Sequence, residues 1–425
     1  MIRYVLTSMI AGDALGSAVD GMTRGHIRAH FRSITGYIDP EPALKNRLES
    51  WRKPGLYSSI SQMMLMLAMS CPRRGACAES FRRAVASSPE VAGYDYGIFR
   101  YPGAVERAFI LAMKDPRQNR QTTEQPCARV IPVMTFLSFR NNSGADQILD
   151  VTAAVRLFTL DCSTLACALI YSSLLMGLAS GALSLDRTVQ ASAEAAAGVA
   201  DAVDDNSSAI FAGGVNPGTL IGELRSAIDL LGEMASAATI GAAEEIIVSH
   251  VNRKLKTPVT RATVNLPSAL FPYALAVSAF AGAAGTAPAP AAAVYEGGST
   301  AALAAMAGAL GAAQGGRLRQ DDPLVQNLVN RKKVLALVDA LSAGTASPGP
   351  EALDDFIRSE ASLTGKEQEE LKARLRHTKK KQRSGPLTRA EKEKELARHV
   401  VESWTKYDRA RWKKERQRHD KNDES

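Results

Sequence analysis

The sequence predicts an all-α fold, and three observations point to it. Of the 425 residues, 45% are apolar, which is ordinary, but only 6% are aromatic. The middle of the chain is crowded with Ala, Gly and Ser. These small residues suit closely packed helices, whereas strands favour β-branched and aromatic side chains. Finally, apolar residues recur at helical spacing at several places along the chain.

Residues 1–341 are predicted to form one helical domain. The helical spacing is clearest in two groups of apolar residues, Met63, Met64, Leu67 and Ala68, and Ala166, Ile170, Leu174 and Leu178. Gly and Pro pairs punctuate the pattern. Residues 342–350, which read Ser-Ala-Gly-Thr-Ala-Ser-Pro-Gly-Pro, resist regular structure and are expected to form a linker.

The remaining residues, 351–425, are predicted to form a basic helical or partly disordered C-terminal extension. Two helices are expected at about 351–362 and 365–376. A third begins at Thr388, which with Glu391 fits a capping box. On that last helix four apolar residues share one face: Leu396, Val400, Trp404 and Tyr407.

The positive charge of the chain belongs to this extension. Residues 371–425 hold 19 Lys and Arg against 9 Asp and Glu, whereas residues 1–370 hold 33 against 35. The extension contains two dense basic runs. Runs of this kind neutralise phosphates without recognising a base sequence, so a nucleic acid or an acidic protein is one candidate partner. The candidate polyanion-binding residues are Lys379, Lys380, Lys381, Arg383, Lys413 and Lys414.

Cysteine usage and hydropathy favour a cytoplasmic protein that is not in a membrane. The five cysteines match neither a disulfide framework nor a metal site, which favours a reducing compartment. Two uncharged stretches, 163–185 and 266–295, are long enough to span a bilayer, but Ala, Gly and Ser make them weakly lipophilic. Buried helices are expected there. The acidic pairs at 204–205 and 244–245 are expected on loops or solvated helix faces.

Four short motifs follow one another along residues 1–320. The first is Ile-Ala-Gly-Asp-Ala-Leu-Gly at 10–16, followed by Asp20. The second is Gly-Leu-Tyr-Ser-Ser-Ile-Ser-Gln at 55–62, the third Cys-Ala-Arg-Val-Ile-Pro at 127–132. The fourth, Glu-Gly-Gly-Ser-Thr-Ala-Ala at 296–302, leads into a helix of small residues. In this order and spacing the motifs resemble those of the ADP-ribosylglycohydrolase family.

The resemblance implies an all-α fold around a central cleft. In active relatives two magnesium or manganese ions, bridged by carboxylates, bind the ribose hydroxyls of ADP-ribose and activate a water that cleaves the glycosidic bond. Such ions need hard oxygen ligands.

The departures from the family lie where that chemistry should be. The family's T-D-D-T positions are Ser58, Ser59, Ile60 and Ser61, and two further aspartate positions are Ser299 and Ala301. Only Asp20 survives among the family's usual ligand acids. One aspartate with neutral hydroxyls cannot hold two divalent ions that repel each other. We therefore expect no metal cofactor and no catalytic residue, and a vestigial cleft of Asp13, Asp20, Ser58, Ser59, Arg129, Gly297, Gly298 and Ser299.

Three functional hypotheses remain from the sequence. The first is an inactive ADP-ribosylglycohydrolase-like protein kept as a binding or assembly module, with a residual ADP-ribose-like ligand. The second is a divergent hydrolase acting on an ADP-ribosyl or related nucleotide-ribose substrate. The third is a nucleic-acid or ribonucleoprotein partner that works through the basic extension.

Overall fold

The structure is a computed structural model. It describes residues 1–44, 47–71, 77–115, 123–140, 144–183, 188–212, 214–237, 239–254, 269–282, 289–315, 318, 321–343 and 349–384. Within these ranges the regular elements are helices, and β-type pairing is limited to isolated bridges. The predicted all-α class is confirmed.

The described ranges contain a succession of helices. In chain order they are α1 (Ile2–Ser17), α2 (Arg24–His30), α3 (Glu41–Leu44), α4 (Ser59–Met69), α5 (Cys77–Ser87), α6 (Ala104–Lys114), α7 (Gly144–Val155), α8 (Cys162–Ser180), α9 (Thr188–Asp205), α10 (Ser207–Ala212), α11 (Pro217–Met234), α12 (Ile240–Lys254), α13 (Leu270–Gly282), α14 (Ala289–Val294), α15 (Thr300–Ala313), α16 (Pro323–Gln326), α17 (Arg331–Ser342) and α18 (Pro350–Ser384). Short 3₁₀ turns lie at Leu48–Ser50, Ala128–Val130, Pro132–Thr135 and Leu137–Phe139.

Helices α1 and α15 lie against each other at the centre of the body. A Cβ atom on Gly12 would lie 2.1 Å from the carbonyl oxygen of Ala304, and one on Gly16 would lie 2.1 Å from that of Thr300. The two backbones are therefore in direct contact, which only glycine allows at these positions. The four-residue spacing of the glycines and the small residues of α15 explain this contact.

Helix α8 packs inside the body. By length and composition it could cross a membrane, and among the described helices of sufficient length it alone meets that test. However, 72% of its apolar window is buried within the structure. Its Ala166, Ile170, Leu174 and Leu178, which the helical spacing singles out, all belong to the core.

The C-terminal part of the chain differs from the sequence prediction. The two helices expected at 351–362 and 365–376 are one continuous helix, α18. Gly365 does not interrupt it, because contacts on either side of that glycine hold the helix to the body. Such packing outweighs the loss of helix stability that glycine causes relative to alanine, about 1 kcal/mol.

The chain divides into two compact units, Met1–Leu371 and Lys372–Ser425. The start of the segment assigned to the extension thus belongs to the first unit. Residues 344–348 of the expected linker, and the expected third helix with its apolar face, lie outside the described residues.

One cysteine departs from the sequence analysis. Cys71 is disulfide-bonded, whereas the spacings predicted no disulfide framework. The thiols of Cys127, Cys162 and Cys167 are free. Burial raises the pKa of the Cys127 thiol to about 12, so it is neutral at ordinary pH.

Candidate functional site

Asp13 of α1 holds the N-terminus of α4. Its carboxylate accepts hydrogen bonds from the backbone N–H and hydroxyl of Ser58, at 3.0 and 2.7 Å, and from those of Ser61, at 3.1 and 2.6 Å. Ser58 is the N-cap residue, and its oxygen accepts the N–H of Ile60. A carboxylate at a helix N-terminus also offsets the positive end of the helix dipole. Burial raises the pKa of Asp13, and the bonds from Ser61 and Ser58 lower it by less.

Arg129 is the central cation of the cleft. Its Nη1 donates to Asp20 at 2.8 Å, and its Nε donates to Glu106 at 2.7 Å. Its Nη2 lies 3.3 Å from the hydroxyl oxygen of Ser58, 3.1 Å from that of Ser59 and 3.0 Å from the carbonyl oxygen of Tyr101. Burial alone lowers the pKa of Arg129. The neighbouring acids, Glu106 first and then Asp20, together raise this pKa by more than burial lowers it, so the guanidinium stays charged. The structure therefore brings Asp20, Ser58, Ser59 and Arg129 together.

Glu106 of α6 is a site residue that the sequence analysis missed. It is fully buried and accepts the hydroxyl of Ser59 at 2.9 Å as well as the backbone N–H of Gly103. This bond is one half of a capping box, since Glu106 caps the N–H of the N-cap residue Gly103, which has no side chain to cap in return. The usual signal for that motif is a Ser or Thr three residues before the glutamate, and here the position is a glycine.

The Gly297-Gly298 turn joins the fourth motif to the first. The N–H of Gly21 donates to the carbonyl oxygen of Gly298 at 2.7 Å, and the N–H of Gly298 donates to that of Met22 at 2.8 Å. Gly297 has φ +75°, and a Cβ there would lie 2.5 Å from the backbone nitrogen of Arg24. A side chain is therefore excluded at this turn.

Asp20 also reaches the N-terminus of α15. Its Oδ1 accepts the N–H of Ala301 at 3.3 Å, while Oδ2 accepts from Arg129. Ser299 is the N-cap residue of α15 and makes no side-chain capping bond. All four motifs thus meet around one carboxylate and one guanidinium.

A second buried charge cluster lies next to this turn. Arg24 of α2 pairs with Glu244 of α12 at 2.7 Å and also with Glu296, and both glutamates are buried. The expectation that the glutamate at 244 lies on a loop or a solvated face is wrong. Its partner is more than 200 positions away in the sequence, so no local pattern could indicate the pair.

A cavity of about 480 Å³ opens beside Asp20. Its walls include Asp20 and three basic side chains, His26, Arg47 and Arg52. The guanidinium of Arg52 lies 4.0 Å from the ring centre of Tyr101, and its Nη1 is buried without a hydrogen-bond partner. The carboxylate of Asp20 is already paired with Arg129, and the two arginines of the wall outnumber it, so the lining favours an anionic ligand.

Two further sets of expected residues concern metal ions and polyanions. Among the described residues, no group of three or more His, Cys, Asp or Glu is placed to hold a metal ion. Of the polyanion-binding candidates, Lys379, Lys380, Lys381 and Arg383 lie on α18. Lys413 and Lys414 lie outside the described residues.

Comparison with known proteins agrees with this geometry. The model of the ADP-ribosylglycohydrolase family matches residues 2–351. A solved structure described as an ADP-ribosylglycohydrolase-related protein complex superposes with a TM-score of 0.50 and 17% sequence identity, covering 81% of this chain and 98% of that one. This second likeness is one of fold. No curated protein sequence matches the chain.

Proposed function

Because the chain belongs to the ADP-ribosylglycohydrolase family, we propose that it is a catalytically inactive member which keeps the fold as a binding or assembly module. One observation carries the proposal. Asp20, the surviving acid of the family's ligand set, is committed to Arg129 and to the N-terminus of α15. Active members use metal ions at this cleft, and here a fixed organic cation lies against its acids.

The oxygen atoms around Arg129 that could act as metal ligands do not fit two divalent ions. Asp13 and Glu106, the two fully buried acids near Arg129, each accept several hydrogen bonds from protein groups. The remaining ligand positions of the family, which are Ser59, Ile60, Ser299 and Ala301, carry no carboxylate. A metal pair about 3.5–4 Å apart needs several carboxylates, and a neighbouring guanidinium adds repulsion.

Metal analysis and an activity assay test the inactive state. The purified protein is dialysed against Mg²⁺ or Mn²⁺, bound metal is counted per chain, and release of ADP-ribose from modified arginine or serine is measured beside an active relative. We expect no stoichiometric metal and no release. Two ions per chain, or turnover by the protein, would reject the proposal and favour the divergent hydrolase.

The cavity supports the binding role and a phosphate-bearing, ADP-ribose-like ligand. Arg52 has a buried N–H group with no partner, and burying such a group without a hydrogen bond costs free energy that a ligand can recover. Titration with ADP-ribose and with pyrophosphate checks this, using Arg52→Ala beside Arg32→Ala, which changes an exposed arginine. Binding that only Arg52→Ala weakens supports the role, and equal binding by both variants rejects it.

A specific feature of α18 favours polyanion binding as a second function. Residues 372–384 contain seven Lys and Arg and no Asp or Glu, and they are helical. Basic residues repeated along a helix favour salt-sensitive contact with phosphates. The test compares the full chain with a chain ending at Leu371, titrated against a generic polyanion at two salt concentrations. Only the full chain should bind, more weakly at high salt; equal affinity, or none for either, rejects the role.

A further inference from the structure

Helix α18 follows the family domain and yet is anchored in its interior. The family match ends at residue 351, and α18 begins at Pro350. Four polar side chains of this helix are buried: Glu360 and Thr364 are 0% exposed, Glu367 is 1% exposed and Gln368 is 8% exposed. An added helix that only covered apolar surface would not carry buried charge, because burying a charge is costly unless it is paired.

The carboxylate of Glu360 is fully paired inside the body. It accepts the hydroxyl of Tyr57 at 2.6 Å, Nε2 of Gln62 at 2.8 Å and Nη2 of Arg100 at 2.6 Å. All four residues are 0% exposed. Burial lowers the pKa of Arg100, but the neighbouring groups, Glu360 first, together raise it by more, so the guanidinium stays charged.

Arg100 links this pair to the cleft. Its Nε donates to the carbonyl oxygen of Tyr57 at 2.9 Å, and its backbone N–H donates to Oε1 of Gln62 at 2.8 Å. Its own carbonyl oxygen accepts the backbone N–H of Ser59 at 2.7 Å. The hydroxyl of Ser59 then contacts Glu106 and Arg129. Three successive contacts therefore run from α18 to the cleft.

We propose that Glu360 is a positioning residue: through Arg100 it fixes the backbone that holds Ser59, and α18 is thereby a built-in strap that sets the shape of the cleft. Thr364 is the second anchor, since its hydroxyl donates to the carbonyl oxygen of Ile98 at 2.8 Å and lies 3.2 Å from Nη1 of Arg100. Two points of attachment fix the orientation of Arg100 as well as its charge. The role does not depend on whether the cleft is catalytic.

Replacing the pair by apolar residues separates positioning from stability. Removal of one partner leaves a buried unpaired charge, whereas replacement of both by apolar residues of similar size is often tolerated. The variants are Glu360→Met, Arg100→Met and the double variant in the full chain, with Glu369→Ala as the control because Glu369 is an exposed residue of the same helix.

The readouts are the melting temperature and amide hydrogen exchange resolved at Ser59 and Ser61. Each single variant should melt lower than the wild type, and the double variant should recover most of that loss. In all three, the Ser59 amide should exchange at least about tenfold faster, because each 1.4 kcal/mol lost from its opening free energy gives a factor of ten. The Ser61 amide, which Asp13 holds, should keep its protection.

Glu360→Asp is a milder variant that tests the proposal even if the other variants do not fold. It keeps the charge and shortens the side chain by one methylene group, so it should stay folded while the Ser59 amide loses protection. A double variant with recovered melting temperature and wild-type exchange at Ser59 would overturn the proposal, since the pair would then serve stability alone. Unchanged exchange at Ser59 in Glu360→Asp would also overturn it.

Discussion

The carboxylate of Asp13 accepts both the backbone N–H and the hydroxyl of Ser58, at 3.0 and 2.7 Å. Despite these bonds, burial raises the pKa of Asp13 in the folded protein. A carboxyl with a higher pKa in the folded state binds its proton more tightly there than in the unfolded chain. Its contribution to stability is therefore full below the unfolded pKa and is lost as the pH rises through the folded pKa.

We accordingly expect the stability of the wild type, measured relative to Asp13→Asn, to fall as the pH rises from about 3.5 towards 7. The asparagine does not titrate, so the difference isolates Asp13. Urea unfolding at a series of pH values measures it, and Asp354→Asn, at an exposed position, serves as the control. A difference that grows with pH would mean that the folded pKa of Asp13 is lowered instead.

Loss of Arg129 should destabilise the protein strongly. In Arg129→Ala the fully buried Glu106 keeps its charge without its cation, which typically costs about 3–5 kcal/mol. Arg129→Lys should be intermediate, since an ammonium lacks the planar fork that reaches Glu106, Asp20 and the serines together. Chemical denaturation measures both, beside Arg32→Ala. A cost within 0.5 kcal/mol for Arg129→Ala, the range of ordinary surface changes, would contradict the structure.

Gly12→Ala should disturb the contact between α1 and α15. The new methyl group would lie 2.1 Å from the carbonyl oxygen of Ala304, so the two backbones must separate, and overpacking of this kind costs about 1–3 kcal/mol or more. Gly222→Ala is the matched control, because Gly222 also lies inside a helix and has no atom near its missing Cβ. That change should be neutral or stabilise by up to about 1 kcal/mol. Similar thermal shifts in both variants would refute the close contact.

Two truncations should behave differently. A chain that ends at Leu371 keeps Glu360 and Thr364 and should unfold as cooperatively as the full chain. A chain that ends at Gly349 loses the carboxylate that pairs with Arg100 together with the apolar packing of α18, so it should melt lower than the chain that ends at Leu371. Thermal unfolding of the two fragments beside the full chain checks this. Equal melting temperatures would show that α18 contributes nothing to the body.

Sequence reasoning found the parts of the site that lie in motifs. Gly12 and Gly16 are four residues apart, and this spacing alone indicates a helix face that admits another backbone. Asp20, Ser58, Ser59 and Arg129 were reached through the order of the motifs, and the structure brings them within hydrogen-bonding distance.

No pattern in the sequence indicated the tertiary ion pairs. The partners of Asp13, which are Ser58 and Ser61, lie at the start of another helix, and no pattern near Asp13 indicates them. Arg100 and Glu360 are separated by 260 positions, and neither has a distinctive neighbour. The helix break expected before Gly365 is absent for the same reason. Helix propensity is a local property, whereas the contacts that keep α18 continuous join residues far apart in the sequence.

The contact between Gly12 and Ala304 also bears on how the protein is made. During synthesis α1 emerges well before its central partner α15, because most of the body lies between them in the sequence. Until α15 is made, α1, whose residues from Val5 to Ser17 are all buried in the finished fold, lacks the helix that packs most closely against it. Pairing of segments this far apart in sequence is slow, since a long loop must close first. The nascent chain therefore exposes apolar residues of α1 until α15 is made, which favours protection by a chaperone and means that this part of the core is completed late.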